Sequence, residues 1–197
     1  RVAERQTRKS QKLLPVMGCG FDSHHGHMYL FDPALIDDTS ITCFFVNKIH
    51  LPWSNFFHSL FVGRTPDGGT AAFDDVERYF QAWKAKDPVD FHKVRNAETP
   101  GLAKRIGRGI GLRSDWEQIK LGVMREALQY KFADGSDLAR QLVATGDRLL
   151  VEGNWWGDKF WGVDLKDNYK GHNWLGTLLM ARRAELRTDD FRLFRDS

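Results

Sequence analysis

The stretch Asp74-Asp75-Val76-Glu77-Arg78-Tyr79-Phe80-Gln81-Ala82-Trp83-Lys84 decides how this chain is read. Either aspartate can cap a helix, and the run is predicted to stay helical to about Lys86, with Pro88 as the stop. At about 100° per residue, Val76, Tyr79, Phe80 and Trp83 gather on one face, the expected core face. Glu77, Gln81 and Lys84 form a second stripe beside it. Glu77 and Lys84 are separated by about 10.5 Å along such an axis, and their long side chains can converge on one ligand. At the edge of a core, desolvation raises a carboxyl pKa and lowers an amine pKa. A general acid/base and a nucleophilic amine require those shifts. The same spacing also fits a solvated stripe whose stems cover the core edge.

Working outward, residues 61–63 and 71–73 flank the turn cluster Thr65-Pro66-Asp67-Gly68-Gly69 and suit a hairpin. The β-branched and aromatic run 41–47 suits a short buried strand. Thr99-Pro100 reads as cap and first residue of a helix ending near Gly107. Ser114-Asp115-Trp116-Glu117 has the form of a capping box. The helix after it carries Trp116, Ile119, Val123, Met124, Ala127, Leu128 and Phe132 at helical spacing, with Gly135 as its stop. Ser136 can cap a helix reaching Thr145, residues 149–152 suit a strand, and a last amphipathic helix starts near Asn173. There is no internal repeat. The expected architecture is α+β, a single compact and mostly helical domain with a few short strands.

The chain of 197 residues has room for one domain, and its 42% apolar and 28% charged content fits a globule. No run approaches the roughly 20 apolar residues of a membrane helix, so no membrane partner is expected. The net charge of +3 belongs to residues 1–14, where Arg1, Arg5, Arg8, Lys9 and Lys12 face only Glu4. The body is near neutral, so overall charge does not argue for nucleic-acid binding. That basic start has no apolar segment behind it and does not resemble a signal peptide. The first residue is Arg, which suggests a fragment or processed form. Cys19 and Cys43 make no disulfide scaffold and lack metal-ligand spacing, so an intracellular location, cytoplasm or nucleus, is expected.

Other segments could hold a ligand. Trp155-Trp156-Gly157-Asp158-Lys159-Phe160-Trp161-Gly162 offers flat stacking surfaces around one carboxylate, Asp158, although such clusters also build cores. Gly171-His172-Asn173-Trp174-Leu175-Gly176 leads into a helix, whose free N–H groups attract phosphate. Lys104, Arg105, Arg108 and Arg113 lie in a segment without acids and could clamp a phosphate, or form a solvated face. His24, His25 and His27 fit no usual metal spacing and read as a surface loop. No metal and no cofactor are expected.

Several pieces, in order, resemble one family. They are Ser54-Asn55-Phe56, the 77–84 stretch, Ala103-Lys104-Arg105-Ile106-Gly107-Arg108, Arg113 to Trp116, Leu150-Val151-Glu152-Gly153-Asn154, Phe160-Trp161-Gly162 and the 171–176 stretch with Leu179, Met180 and Arg183. Together they are similar to the NADAR, or YbiA-like, superfamily over residues 41–187. Residues 1–40 match no pattern and stay an unassigned extension, with 188–197 as a tail. Arg78 stands where many members have His.

The resemblance implies a YbiA-like α+β fold and cleavage of N-glycosidic bonds, either of ADP-ribose on guanine or of ribosylamino-pyrimidine phosphates of riboflavin synthesis. It implies that Lys84 attacks the anomeric carbon as a Schiff-base nucleophile and that Glu77 moves the proton, with Asp158 a second carboxylate. Phe56, Tyr79 or Trp161 would stack on the base. Asn55, Asn154 and Asn173 would bond ribose or base. The 171–176 helix start, from Gly171 to Gly176, would hold phosphate with Arg108 or Arg113. Gln81, Trp116 and Gly162 complete the expected substrate-binding set. Nucleic acid is a possible carrier of the modified base. Two rivals are a non-catalytic ADP-ribose-binding module and a nucleic-acid binder acting through the basic arm.

Overall fold

The hairpin forms where the turn cluster placed it. In this computed structural model, which describes residues 31–46 and 49–193 and only the main chain at 45, 46 and 189–193, β3 (Phe61–Arg64) pairs antiparallel with β4 (Thr70–Phe73). Before it come a 3-10 turn at Pro33–Leu35 and the two-residue strands β1 (Phe45–Val46) and β2 (Ile49–His50). Cys19, His24, His25, His27 and the basic arm lie outside the described residues.

Helix α1 (Val76–Ala82) starts where Asp75 accepts a hydrogen bond from the Arg78 N–H. It packs against α2 (Pro88–Arg95), α3 (Pro100–Gly107) and α4 (Trp116–Lys131). Enclosure on three sides buries every residue of α1, including Glu77, Arg78 and Gln81. Arg78 tolerates this because Asp75 pairs with it and the carbonyls of Ala97 and Glu98 accept from its guanidinium.

Two expectations about helix ends are corrected. Helix α1 stops at Ala82, short of Lys86, and Pro88 opens α2, whose cap is Asp87. Proline suits a first helical turn because its missing N–H is not needed there. Residues 83–86 are instead pinned crosswise: the Lys86 N–H donates to Gly111 O at 2.9 Å and the Arg113 N–H to Lys84 O at 3.0 Å. The capping box does not form: Asp115, not Ser114, stands at the cap position with no side-chain cap bond, its carboxylate held by the Arg113 guanidinium at 2.6 and 3.1 Å.

Helices α4, α5 (Asp137–Ala144) and α6 (Trp174–Leu193) pack together, with Ser136 capping α5 as its sequence indicated. Helix α6 continues through Leu193, past the position at which a tail was placed. The 149–152 run is extended, with Leu150 bridged parallel to Ile41, but regular strand begins only at β5 (Gly153–Asn154). Strand β5 pairs parallel with β6 (Val163–Asp164), which pairs antiparallel with β7 (Lys170–Gly171). Among the described residues, six helices with short strands make the expected α+β fold. No described helix is long and apolar enough to cross a membrane.

Candidate active site

Glu77 is almost wholly buried on α1, and its Oε1 accepts a hydrogen bond from Gln81 Nε2 at 2.8 Å. Burial pushes its carboxyl pKa up, against the opposing pull of Lys104, the Gln81 hydrogen bond and Lys84. Lys84 leaves the end of that helix half-buried, its amine 5.4 Å from the Phe80 ring centre and 5.9 Å from that of Trp116. Burial lowers its pKa, and the neighbouring charges of Lys104 and Arg108 push the same way while Glu77 opposes them. The pair therefore has the two shifts that proton transfer and amine nucleophilicity need.

Helix α3 brings Lys104 to the same place. Its amine lies 5.6 Å from the Phe56 ring and 5.8 Å from the exposed Trp156 ring. Lys104 and Arg108 make no ion pair among the described residues, so their charge is available to an anion. Gly107 lets α3 approach closely, since a Cβ there would sit 2.3 Å from Gln81 Oε1. Asp158 Oδ1 accepts from the N–H groups of Phe160 and Trp161, which folds the Trp-rich loop over the site. Trp161 meets Phe80 edge-on at 5.1 Å. Phe80, and the half-exposed Trp161 and Phe56, thus border the Lys84 region.

Sequence reasoning did not single out Glu152. Burial pushes its pKa up to about 8, with Asp158 and Glu77 adding to the rise and Lys104 opposing it. Its Oε2 is buried without a hydrogen-bond partner. The available signals were a lone acid ending the apolar run Leu149-Leu150-Val151 and its place in the Leu150-Val151-Glu152-Gly153-Asn154 piece that resembles the family.

Other expected site residues serve the frame. Tyr79 is fully buried among Phe61, Phe73, Trp83 and Tyr130, on the opposite side of α1 from Glu77, with no face open to a base. Asn154 spends its amide on the Asp158 and Val163 carbonyls and its oxygen on the N–H groups of Trp156 and Asp158. Asn173, wholly buried, accepts from the Glu152 N–H and donates to Leu150 O, both at 2.9 Å. Asn55 donates to the Met124 sulfur and leaves its Oδ1 buried without a partner, while its carbonyl accepts from the Glu77 N–H. Trp116 is buried and walls the Lys84 amine. Arg113 is held by Asp115 and stacks 5.5 Å from the Trp83 ring, on a different cavity, of about 630 Å³, bordered also by Arg64 and Glu126.

The phosphate expectation at 171–176 is overturned. The N–H groups of Asn173, Trp174 and Leu175 donate to the carbonyls of Gly162, Phe160 and Trp161 at 3.2, 3.3 and 3.0 Å. The helix start is already satisfied by main chain. Gly171, Gly162 and Gly176 are needed for packing: a Cβ on Gly176 would lie 2.1 Å from Leu150 O, and one on Gly162 2.0 Å from Glu152 O.

A desolvated lysine beside buried carboxyls, on a small α+β scaffold, has the parts of a covalent acid/base site. Residues 44–187 match the profile of the NADAR domain, and the chain belongs to that family. It is 42% identical over 117 residues to an N-glycosidase of Nostoc punctiforme, covering 57% of this chain and 73% of that protein. It is 42% identical over 112 residues to a riboflavin biosynthesis protein of Vibrio vulnificus, covering 56% of this chain and 30% of that one. The NMR structure of Escherichia coli YbiA superposes with a TM-score of 0.65 at 33% identity, over 79% of this chain and 90% of that one. These relationships make the chain a hydrolase of the N-glycosidase class.

Proposed function

We propose that this protein removes ADP-ribose from ADP-ribosylated guanine, through a lysine Schiff-base intermediate. The observation that carries the reading is the Lys84 amine, lodged against Phe80 and Trp116 and depressed in pKa beside the buried Glu77. An unperturbed lysine titrates near 10.4 and is almost wholly protonated at neutral pH. Desolvation frees a fraction of neutral amine whose lone pair can attack the anomeric carbon. As the bond from that carbon to the base breaks, the departing nitrogen takes a proton delivered by a site carboxyl. Lys104 and Arg108 supply positive charge for the diphosphate, and Phe56 and Trp161 offer surfaces for the base. Nucleic acid would enter only as the carrier of that base.

A second reading, cleavage of a ribosylamino-pyrimidine phosphate, is favoured by the riboflavin biosynthesis relative. Both substrates are ribosyl N-glycosides bearing phosphate. Incubating the protein with each, in the presence of borohydride, separates the two by which one yields free base. Wild type should carry a trapped sugar adduct visible by mass, and Lys84→Ala should carry none. Undiminished hydrolysis by Lys84→Ala would end the covalent mechanism. Binding of ADP-ribose without release of base from either substrate would favour a non-catalytic module.

A further inference from the structure

The proposed site holds three carboxyls, and they are not equivalent. Glu77 accepts from Gln81 Nε2, and Asp158 accepts from two main-chain N–H groups. Glu152 Oε2 accepts from nothing. Hydrogen bonds to a carboxylate favour its ionised form, and Glu152 has none that would do so. The charges around it point the same way. Asp158, Glu77 and Lys104 all act on Glu152, and its carboxyl in turn acts on Cys43. Two acids, Asp158 and Glu77, thus oppose a charge on Glu152, and Lys104 offsets them.

The main chain holds Glu152 in place. Its N–H donates to Asn173 Oδ1, and its carbonyl accepts from the Val163 N–H at 2.9 Å. Gly162 lies so close that any Cβ there would press on the Glu152 main chain and on its Cγ. The residue as a whole is half-buried, while its Oε2 is buried.

Building on the N-glycoside cleavage proposed above, we infer that Glu152 is the acid that protonates the departing base, leaving Glu77 to serve the lysine. Lys84 Nζ gives its lone pair to the anomeric carbon while the carbon–nitrogen bond to the base breaks, its electron pair staying on the base. Glu152 passes its proton to that nitrogen. The ammonium now bonded to the sugar loses a proton to Glu77. Opening of the sugar ring returns that proton from Glu77 to the ring oxygen and leaves the iminium. Water adds to the iminium carbon and sheds a proton that restores Glu152. Collapse of the carbinolamine frees the sugar aldehyde and the Lys84 amine. Two environments thus divide acid and base work between two carboxyls.

The test has two arms on the full chain. Carbon-13 NMR of glutamate carboxyls, without substrate, should show one signal titrating near pH 8 that is missing in Glu152→Gln. In turnover, Glu152→Gln should lose roughly 100-fold or more in kcat with KM within about threefold, and lose the alkaline limb of the pH profile. Glu77→Gln should also lose kcat but keep that limb. A merely structural Glu152 would lower activity without removing one limb. A Glu152 ionised at pH 7, or an alkaline limb retained by Glu152→Gln, overturns the assignment. If Glu152 titrates near pH 8 but wild type cleaves no ribosyl N-glycoside, the proposed function fails and the acid role falls with it.

Discussion

Two of the described lysines, Lys84 and Lys131, are desolvated, and their surroundings separate their roles. Lys131 is 3% exposed, donates to Ser54 O at 2.7 Å and sits among the Phe57 and Phe132 rings. Burial alone pulls its pKa down to about 7, and it holds the 53–57 segment that leads to Asn55 and Phe56. Lys84 has aromatic walls too, but it also has carboxyl neighbours. A desolvated amine disfavours the folded state, so replacing Lys84 by an apolar side chain of similar length should not harm stability. Lys84→Met should melt at an equal or higher temperature than wild type while losing the borohydride adduct. A variant that unfolds several degrees lower would show that Lys84 serves structure first.

At the level of helices, α1 works because α3 can lie against it. Gly107 closes that contact, and a methyl group there would push Gln81 away from Glu77. Gly107→Ala should cost about 1–3 kcal/mol in urea unfolding, as overpacking does. Because the Gln81 hydrogen bond lowers the Glu77 pKa, its loss should move the limb of the pH–rate profile set by Glu77 to higher pH. Gly176→Ala should behave differently. Its Cβ would meet a main-chain oxygen, Leu150 O, which is also tied to Asn173 and cannot rotate away. The expected outcome is a loss of about 3 kcal/mol or more, with an unshifted pH profile in whatever protein stays folded.

Taken together, the buried titratable groups give the molecule an unusual pH response. Glu152 rises from 4.5 to about 8 on folding, so between those values the folded chain binds the extra proton and stability falls as pH rises. Lys131 falls from 10.5 to about 7, so across that window the unfolded chain binds the extra proton and stability rises with pH. The two windows meet near pH 8, where thermal unfolding should show a shallow minimum in Tm. Glu152→Gln should reduce the fall on the acid side, to which the raised Glu77 also contributes. Lys131→Met should reduce the rise on the alkaline side, to which the lowered Lys84 also contributes. A flat Tm profile from pH 5 to 10 in wild type would contradict both shifts.

The local code of this chain was readable wherever a residue and its near neighbours settle the matter. Thr99-Pro100, Ser136 and the 65–69 turn cluster start or reverse the chain as their side-chain chemistry requires. Glu77, Gln81 and Lys84 stood out by spacing, although Lys84 reaches the site from a pinned turn beyond the helix end. Tyr79 could not be told from a stacking surface, because only the packing of the β3–β4 hairpin and α4 against α1 encloses its ring. The glycine-rich start of α6 looked open to phosphate, but carbonyls from the 160–162 loop occupy its N–H groups. Glu152 stood in a quoted piece of the family pattern, yet nothing local marked it as a site residue. Its surroundings come from the 158–162 loop and the start of α6, which close on it only in the folded state. Caps, turns and periodicity act within a few residues, whereas desolvation and hydrogen-bond satisfaction are summed over every neighbour in space, and the chemistry of this site depends on that sum.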